Sequence, residues 1–120
     1  MEEKHSNTVK TPWGELAWHL CDVHRAMSYI SLTNSVILGG DIITQEFEHT
    51  GDNWFYQPVR LQNAEFSASL QYNTEKSIKQ ATEYMDMYVK RHGKAYLFVL
   101  VTCTAMEAYI HAKKDESSCL

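Results

Sequence analysis

The chain has 120 residues, of which 44% are hydrophobic and 22% are charged, and this is the composition of one small globular domain. Its formal net charge of −4 argues against nucleic-acid binding, which needs a basic surface. No apolar run approaches the ~20 residues of a membrane span, and residues 1–10 lack the apolar stretch of a signal peptide.

These observations predict a single cytoplasmic domain over residues 1–120. Residues 1–10 are expected to form a loose arm and residues 115–120 a frayed tail. The three cysteines, Cys21, Cys103 and Cys119, show no paired spacing. This favours free thiols in a reducing compartment over a disulfide scaffold.

The negative charge is concentrated in residues 26–59, a block that contains no Lys or Arg. The block holds Asp41, Glu46, Glu48 and Asp52, and charges in the rest of the chain balance. Such a block can be a solvated surface loop that arose by chance. It can also be a negative patch that faces a basic partner and speeds the encounter with it.

The first predicted element is a helix. Thr11 and Pro12 are typical of a helix N-cap and first turn, and an apolar stripe follows them to about Leu32. Ser35–Thr44 is β-branched and apolar, which predicts a strand. Gly39 and Gly40 in its middle indicate a bulge, or a place where another backbone or a ligand approaches closely.

A hairpin and a second helix are expected next. The Gly51-Asp52 dipeptide indicates a turn, so residues 53–59 are predicted to be the return strand. Alternating apolar residues over 66–72 suggest a short third strand. A second helix is predicted from near Thr74 to a cap at Gly93. Its predicted buried face is Ile78, Ala81, Met85, Tyr88 and Val89.

The continuous apolar run over residues 95–103 predicts a central strand, and residues 105–114 are expected to form a terminal helix. The elements in chain order are therefore helix, β-hairpin, helix and strand. This order predicts a two-layer α+β domain, in which a small, mostly antiparallel sheet of three or four strands packs against two main helices.

The densest group of potential metal ligands is His19, Cys21, Asp22 and His24. On one helix these side chains point to different faces, and no face gathers the three ligands that a zinc site needs. Cys21 with His24, or Cys103 with a His, could form a nucleophilic pair, but nothing local marks either thiol as activated. Phosphate-loop and hydrolase motifs are also missing, so we expect no catalytic residue, no metal and no cofactor.

Trp18, Arg25 and Tyr29 are candidates for a binding surface. They are predicted to share the helix face opposite the apolar stripe, and these residue types are enriched at binding hot spots. The same three residues could instead be covered by the N-terminal arm or by a second layer of the fold.

The return strand of the hairpin is rich in aromatic residues. Trp54 and Tyr56 are expected on one side of the strand and Phe55 on the other. Because one side faces the core, at least one of these aromatic side chains is structural.

Part of the chain resembles a known family. The stretches Ile37-Leu38-Gly39-Gly40-Asp41 and Asp52-Asn53-Trp54-Phe55-Tyr56 are similar to the signature of small bacterial immunity proteins encoded beside polymorphic toxins, including those of contact-dependent growth inhibition. Positions of the second helix fit the same pattern: Ser77, Ala81, Tyr84, Met85 and Tyr88. The apolar strand at residues 96–100 then follows, so the resemblance covers about residues 14–102.

The resemblance implies a non-enzymatic cytosolic protein that binds one cognate toxin domain, often a nuclease. A nuclease cleft is usually basic because it attracts phosphates. We therefore expect a toxin-binding surface on the acidic hairpin, with aromatic residues at its desolvated centre. The expected contact residues are Asp41, Glu46, Glu48, Asp52, Trp54 and Tyr56.

The expected partner is a basic toxin domain in a 1:1 complex with a monomeric inhibitor, without nucleic acid or membrane. Two alternatives remain open. One is a small ligand-binding or regulatory domain with a pocket between helix and sheet. The other is a homodimer that uses the second candidate surface of Trp18, Arg25 and Tyr29.

Overall fold

The computed structural model describes residues 9–62 and 65–118. In chain order its elements are β1 (Val9–Lys10), β2 (Leu16–Ala17), α1 (Leu20–Leu32), β3 (Ser35–Thr44), β4 (His49–Phe55), α2 (Phe66–His92), β5 (Tyr96–Thr104) and α3 (Ala105–Ser118). The predicted α+β class is confirmed. Most of the predicted arm (residues 1–8) and the end of the predicted tail (119–120) lie outside the described residues.

The main sheet has three antiparallel strands in the order β4-β3-β5. The strand predicted at Ser35–Thr44 is confirmed as β3, and it is the central strand, whereas the run at 95–103 was expected to be central. On the far side of β5, the backbones of Trp18 and Phe98 exchange two hydrogen bonds, at 2.9 and 2.8 Å. The main sheet is thereby joined to the small β1-β2 hairpin.

The prediction of a helix from Thr11 is wrong, because α1 begins only at Leu20. Thr11 is buried and closes a turn instead of capping a helix: its N–H donates to the Glu15 carbonyl (2.8 Å) and its Oγ1 accepts from the Glu15 N–H (3.0 Å). Gly14 adopts φ +96° in this turn, a conformation that favours glycine. Trp13 at the turn stacks on His49, with ring centroids 5.2 Å apart, and ties the β1-β2 hairpin to the start of β4.

The turn predicted at Gly51-Asp52 is also wrong. The chain reverses between Thr44 and Glu48, and β4 therefore occupies His49–Phe55 and not residues 53–59. Gly51 lies within β4, where the pairing with β3 shifts register between Asp41 and Ile43. The glycine that suggested a turn thus belongs to an irregularity of the strand.

Gly39 and Gly40 lie where β3 meets β4, opposite Phe55 and Trp54 respectively. A Cβ on Gly39 would run into the carbonyl oxygen of Trp54. A Cβ on Gly40 would lie 2.7 Å from Cζ3 of the Trp54 ring and 2.7 Å from the Val99 carbonyl oxygen. The prediction that another backbone approaches these glycines is confirmed, and at Gly40 an indole ring also occupies the space of a side chain.

Residues 66–72 are not a strand but the beginning of α2. The helix was missed there because its buried positions carry small polar side chains, which apolar periodicity does not detect. Ser69, Asn73 and Ser77 are buried and follow each other at four-residue spacing. Each of the three binds the main chain of another segment; for example, the Ser69 Oγ accepts from the Leu61 N–H (2.9 Å) and the Ser77 Oγ from the Ile37 N–H (3.0 Å).

The predicted apolar face of α2 packs on the sheet together with α1. Ala81, Met85 and Tyr88 are buried in one cluster with Ile42 and Phe98, and Ile78 and Val89 pack against this cluster. At the end of α2, Gly93 is the C-cap, as predicted, with φ +95°. None of the described helices is long and apolar enough to cross a membrane.

The close contact of Trp54 with Gly40 predicts energetic coupling between the two positions. Gly40→Ala should lower the free energy of unfolding by about 1–3 kcal/mol, because the added methyl overpacks the core. In a Trp54→Phe background the smaller ring leaves room, so the same change should cost about 1 kcal/mol less. Urea unfolding of the four proteins measures the coupling, and equal costs of Gly40→Ala in both backgrounds would contradict the contact.

Candidate functional site

The tip of the β3-β4 hairpin carries two of the predicted carboxylates, Glu46 and Glu48. The turn is held by Thr44, whose Oγ1 accepts hydrogen bonds from the N–H groups of Glu46 (3.2 Å) and Glu48 (3.1 Å). The Thr44 N–H donates to the Glu48 carbonyl oxygen (2.8 Å). Both Glu side chains are exposed, so the turn presents them to solvent at a defined position.

Asp52 lies on the side of β4 that faces α2. Its Oδ2 accepts a hydrogen bond of 2.9 Å from the Tyr88 hydroxyl. Burial, and next the hydrogen bond to Asp52, raise the pKa of Tyr88, and burial followed by the Asp52 charge raise the pKa of Tyr84. Asp52 is therefore an exposed carboxylate whose position is fixed by a neutral phenol.

Asp41 lies on the opposite face of the sheet from Asp52. It precedes Ile42, which is buried in the cluster formed with α1 and α2, and successive side chains of a strand point to opposite faces. Asp41 is half-buried and pairs across the sheet with Asn53 and Val99. The structure thus places two carboxylates at the tip and one on each face, and does not gather the four into one cluster.

No Lys or Arg among the described residues forms an ion pair with Asp41, Glu46, Glu48 or Asp52. The ion pairs recorded in α2, such as Lys79 with Glu83 at 3.3 Å, lie elsewhere. The hairpin carboxylates therefore leave their charge uncompensated within the described part of the chain.

Trp54 and Tyr56, expected at the centre of the binding surface, are core residues with exposures of 5% and 7%. The Trp54 ring stacks on Tyr84 with centroids 4.9 Å apart. Phe55, between them, is 77% exposed. The predicted alternation is correct, but it is Phe55 that offers area to a partner, because side chains as buried as Trp54 and Tyr56 offer almost none.

Tyr56 belongs to a buried polar network at the start of α2. Its hydroxyl donates to the Asn73 Oδ1 (2.6 Å), which also accepts from the Val59 N–H (3.0 Å). The Asn73 Nδ2 donates to the Val59 carbonyl oxygen (2.9 Å). Burial, with a smaller effect of Tyr72, raises the pKa of Tyr56 to about 12. Its role is to fix the segment after β4 onto α2.

The residues of the second candidate surface, Trp18, Arg25 and Tyr29, lie close together, but not for the predicted reason. Trp18 lies outside α1, paired with Phe98, and so the three residues do not share a helix face. Nevertheless Trp18, Arg25 and Tyr29 line one cavity of about 440 Å³ between α1 and β5. The cavity walls are mostly apolar, with Glu15 and Arg25 among the lining residues.

The described residues contain no group of three His, Cys, Asp or Glu side chains that could hold a metal ion. The Cys21 side chain, part of the predicted ligand-rich segment, is not among the side chains described. Burial, and then the charge of Glu107, raise the pKa of the Cys103 thiol. This shift is opposite to the one that activates a nucleophilic cysteine.

The Tyr56 pKa predicts a loss of stability at high pH. A tyrosine with a folded pKa of about 12, against an ordinary value of 10.0, keeps its proton in the native state. Its contribution is fully present below pH 10 and is lost as the pH rises toward 12. Urea unfolding across this range should show a steeper decline for the native chain than for Tyr56→Phe, and equal slopes would contradict the burial of the phenol.

No curated protein and no solved structure matches the chain. The family described as Immunity protein 40 matches residues 7–102, which include β1 to β4, α1, α2 and most of β5. The chain therefore belongs to the Immunity protein 40 family, a family of immunity proteins of toxin systems.

Proposed function

We propose that the protein neutralises one cognate toxin domain by binding it through the hairpin surface, defined as Glu46 and Glu48 at the tip with Asp41 and Phe55 on the face away from α2. Membership of the immunity-protein family is the observation that carries this proposal, because such a protein has a toxin as its partner. The hairpin surface supplies the chemistry for contacting a basic domain.

The charge on the hairpin supports a nuclease as the target. A nuclease must attract phosphates, so the face that an inhibitor has to cover is basic. Glu46 and Glu48 are exposed and have no cationic partner in the described chain, so they can pair with that face without breaking an internal ion pair. At another nuclease–inhibitor interface, close charge pairs have coupling energies of ~1.5–7 kcal/mol, and complementary charge also accelerates association.

Phe55 supplies the apolar part of the same surface. It lies in register with Gly39 of β3 and, through Gly39, with Val101 of β5, which is also exposed. Aromatic residues, Phe among them, are enriched at protein interfaces, and the Phe55 side chain is 77% exposed. Asp41 and Asn53 form the adjacent cross-strand row, so the aromatic ring has polar neighbours around it.

We further propose a 1:1 complex with a monomeric, cytoplasmic inhibitor that binds neither nucleic acid nor membrane and needs no cofactor. A net charge of −4 repels nucleic acid, and an acidic protein that covers a basic cleft competes directly with the substrate. Inhibition then requires tight binding alone and no catalytic step. Toxins delivered by contact-dependent growth inhibition would be one source of such partners.

Charge reversal at the tip tests the electrostatic part of the proposal. Glu46→Lys and Glu48→Lys, singly and together, should slow association with the toxin domain encoded by the neighbouring reading frame, by about tenfold or more for the pair at low salt. Glu75→Lys is the matched control, because this exposed residue of α2 gives the same change of charge. Stopped-flow or surface-plasmon measurements at several salt concentrations give the rates. Equal effects of the Glu46, Glu48 and Glu75 changes would contradict a contact at the tip.

Truncation of Phe55 tests the apolar part. Phe55→Ala should change the free energy of unfolding by less than about 0.5 kcal/mol, since the ring is exposed. It should weaken toxin binding at least tenfold, which corresponds to ~1.4 kcal/mol. Ile110→Ala on α3 is the control, because Ile110 is also a large apolar side chain that is more than half exposed, at 55%. Isothermal titration and growth rescue measure the outcome, and native affinity for Phe55→Ala would remove Phe55 from the interface.

A further inference from the structure

A groove runs along the outer edge of β5, on the side away from β3. It is the cavity of about 440 Å³ already described, and α1 forms one wall with Arg25, Ala26 and Tyr29. The segment from Glu15 to Trp18 forms the other wall, and Leu100 and Thr102 of β5 lie between the walls. Tyr29 and Leu16 are both large apolar side chains in contact with solvent, at 62% and 49% exposure.

The floor of this groove is an open sheet edge. Phe98 directs its N–H and carbonyl outward to Trp18, and alternate residues of a strand direct these groups to the same side. Leu100 and Thr102 therefore also direct their N–H and carbonyl groups outward, away from β3. The next outward N–H, on Thr104, donates to the Glu107 Oε1 (3.0 Å), which confirms the alternation.

Within the described chain, the outward groups of Leu100 and Thr102 have no hydrogen-bond partner. The β2 segment pairs with β5 only at Trp18 and Phe98 and then turns away. Trp18 thus pairs with one end of this edge and Glu107 binds the other end, and the stretch between them is open. An open edge of this kind is a template for one more strand.

The groove also discriminates between possible occupants by charge. Arg25 on the α1 wall has no ion-pair partner among the described residues. On the opposite wall, Glu15 already accepts a hydrogen bond from the Trp13 Nε1 (2.6 Å). The occupant should therefore offer an apolar side chain to the cavity and a carboxylate or carbonyl oxygen to Arg25.

We propose that the groove receives an extended segment of the toxin, which adds a strand to the sheet by pairing with Leu100 and Thr102 and inserts an apolar side chain between Tyr29 and Leu100. This inference rests on the proposed function, since the occupant is the same toxin. It adds a second contact, separate from the hairpin surface, that is recognised through main-chain geometry. A small molecule could fill the cavity, but it would not use successive backbone groups along the strand.

Two substitutions test the groove with the toxin domain from the neighbouring reading frame in a catalytically inactive form. Ala26→Trp should fill the cavity and weaken binding at least tenfold, whereas Ser28→Trp, exposed on the same helix but outside the groove, should bind like the native chain. Thr102→Pro removes one outward N–H but no hydrogen bond to β3. Edge strands tolerate proline at such a position. It should bind more weakly than Thr102→Ala, and thermal unfolding shows whether each variant folds.

Hydrogen exchange of the native chain gives a readout that needs no variant. The amides of Leu100 and Thr102 should exchange quickly in the free protein and become protected when the toxin binds. The amides of Val99 and Val101, directed toward β3, should be protected in both states. The groove proposal is wrong if the native chain binds the toxin and rescues growth, but the Leu100 and Thr102 amides stay unprotected and Ala26→Trp binds normally. The proposed function would stand in that case.

Other outcomes also decide the question. Protection of Leu100 and Thr102 that rises with protein concentration and does not need the toxin would assign the edge to a second copy of the chain and overturn the proposal. A thermal shift with a small molecule that leaves toxin binding intact would assign the cavity to a ligand instead. If the native chain neither binds nor neutralises the toxin, the proposed function itself fails, and the groove proposal fails with it.

Discussion

The placement of the Trp54 ring over Gly40 is the contact on which the arrangement of the hairpin depends. Because Gly40 has no side chain, the indole ring can lie against β3 and stack on Tyr84 of α2. This fixes which face of β4 is buried, and alternation along the strand then turns Phe55 to solvent and Asp52 toward Tyr88. A core requirement thus determines which chemical groups the hairpin offers to a partner. Among the described residues, the buried Trp54 Nε1 has no hydrogen-bond partner, so the packing of the ring has to offset this unmet hydrogen bond.

A second constraint is the polar seam of α2, formed by Ser69, Asn73 and Ser77. Each of these side chains binds main-chain groups of another segment, and so satisfies backbone hydrogen bonds that β-sheet pairing would satisfy in a strand. Asn73 alone satisfies both the N–H and the carbonyl oxygen of Val59 and accepts the Tyr56 hydroxyl. The segment that follows β4 is therefore anchored although it forms no strand. The Phe55 end of the hairpin surface is consequently tied to α2, and a surface that is already ordered loses less entropy when a partner binds.

The parts of the fold that were predictable are those whose signals are local. β3 is predictable from Ser35 to Thr44 because this β-branched, apolar run is bounded by turn-type residues at both ends. The Gly93 cap is predictable because glycine commonly follows the last residue of a helix.

The start of α2 is not predictable from apolar periodicity, because its buried face is polar. Those polar side chains can be recognised as buried only when the main chain of Val59, Leu61 and Ile37, which they bind, is known to lie beside them. The β1-β2 hairpin was missed because Thr11-Pro12 also fits a helix start. Trp18, Arg25 and Tyr29 do line one cavity, but the predicted shared helix face is wrong, because a strand contact rather than helical spacing brings Trp18 there. The sequence alone could not show that Phe55 rather than Trp54 is exposed to a partner, because this depends on the space that Gly40 leaves for the Trp54 ring.

The hairpin surface and the β5 groove together describe an inhibitor that uses charge to attract its partner and main-chain geometry to hold it. The most direct test of the central claim is a structure of the complex with the toxin domain. The account predicts that Glu46, Glu48 and Phe55 contact the toxin, with the two carboxylates facing basic side chains. A complex in which the toxin is held by another part of the molecule, with the tip of the hairpin and Phe55 in solvent, would contradict it.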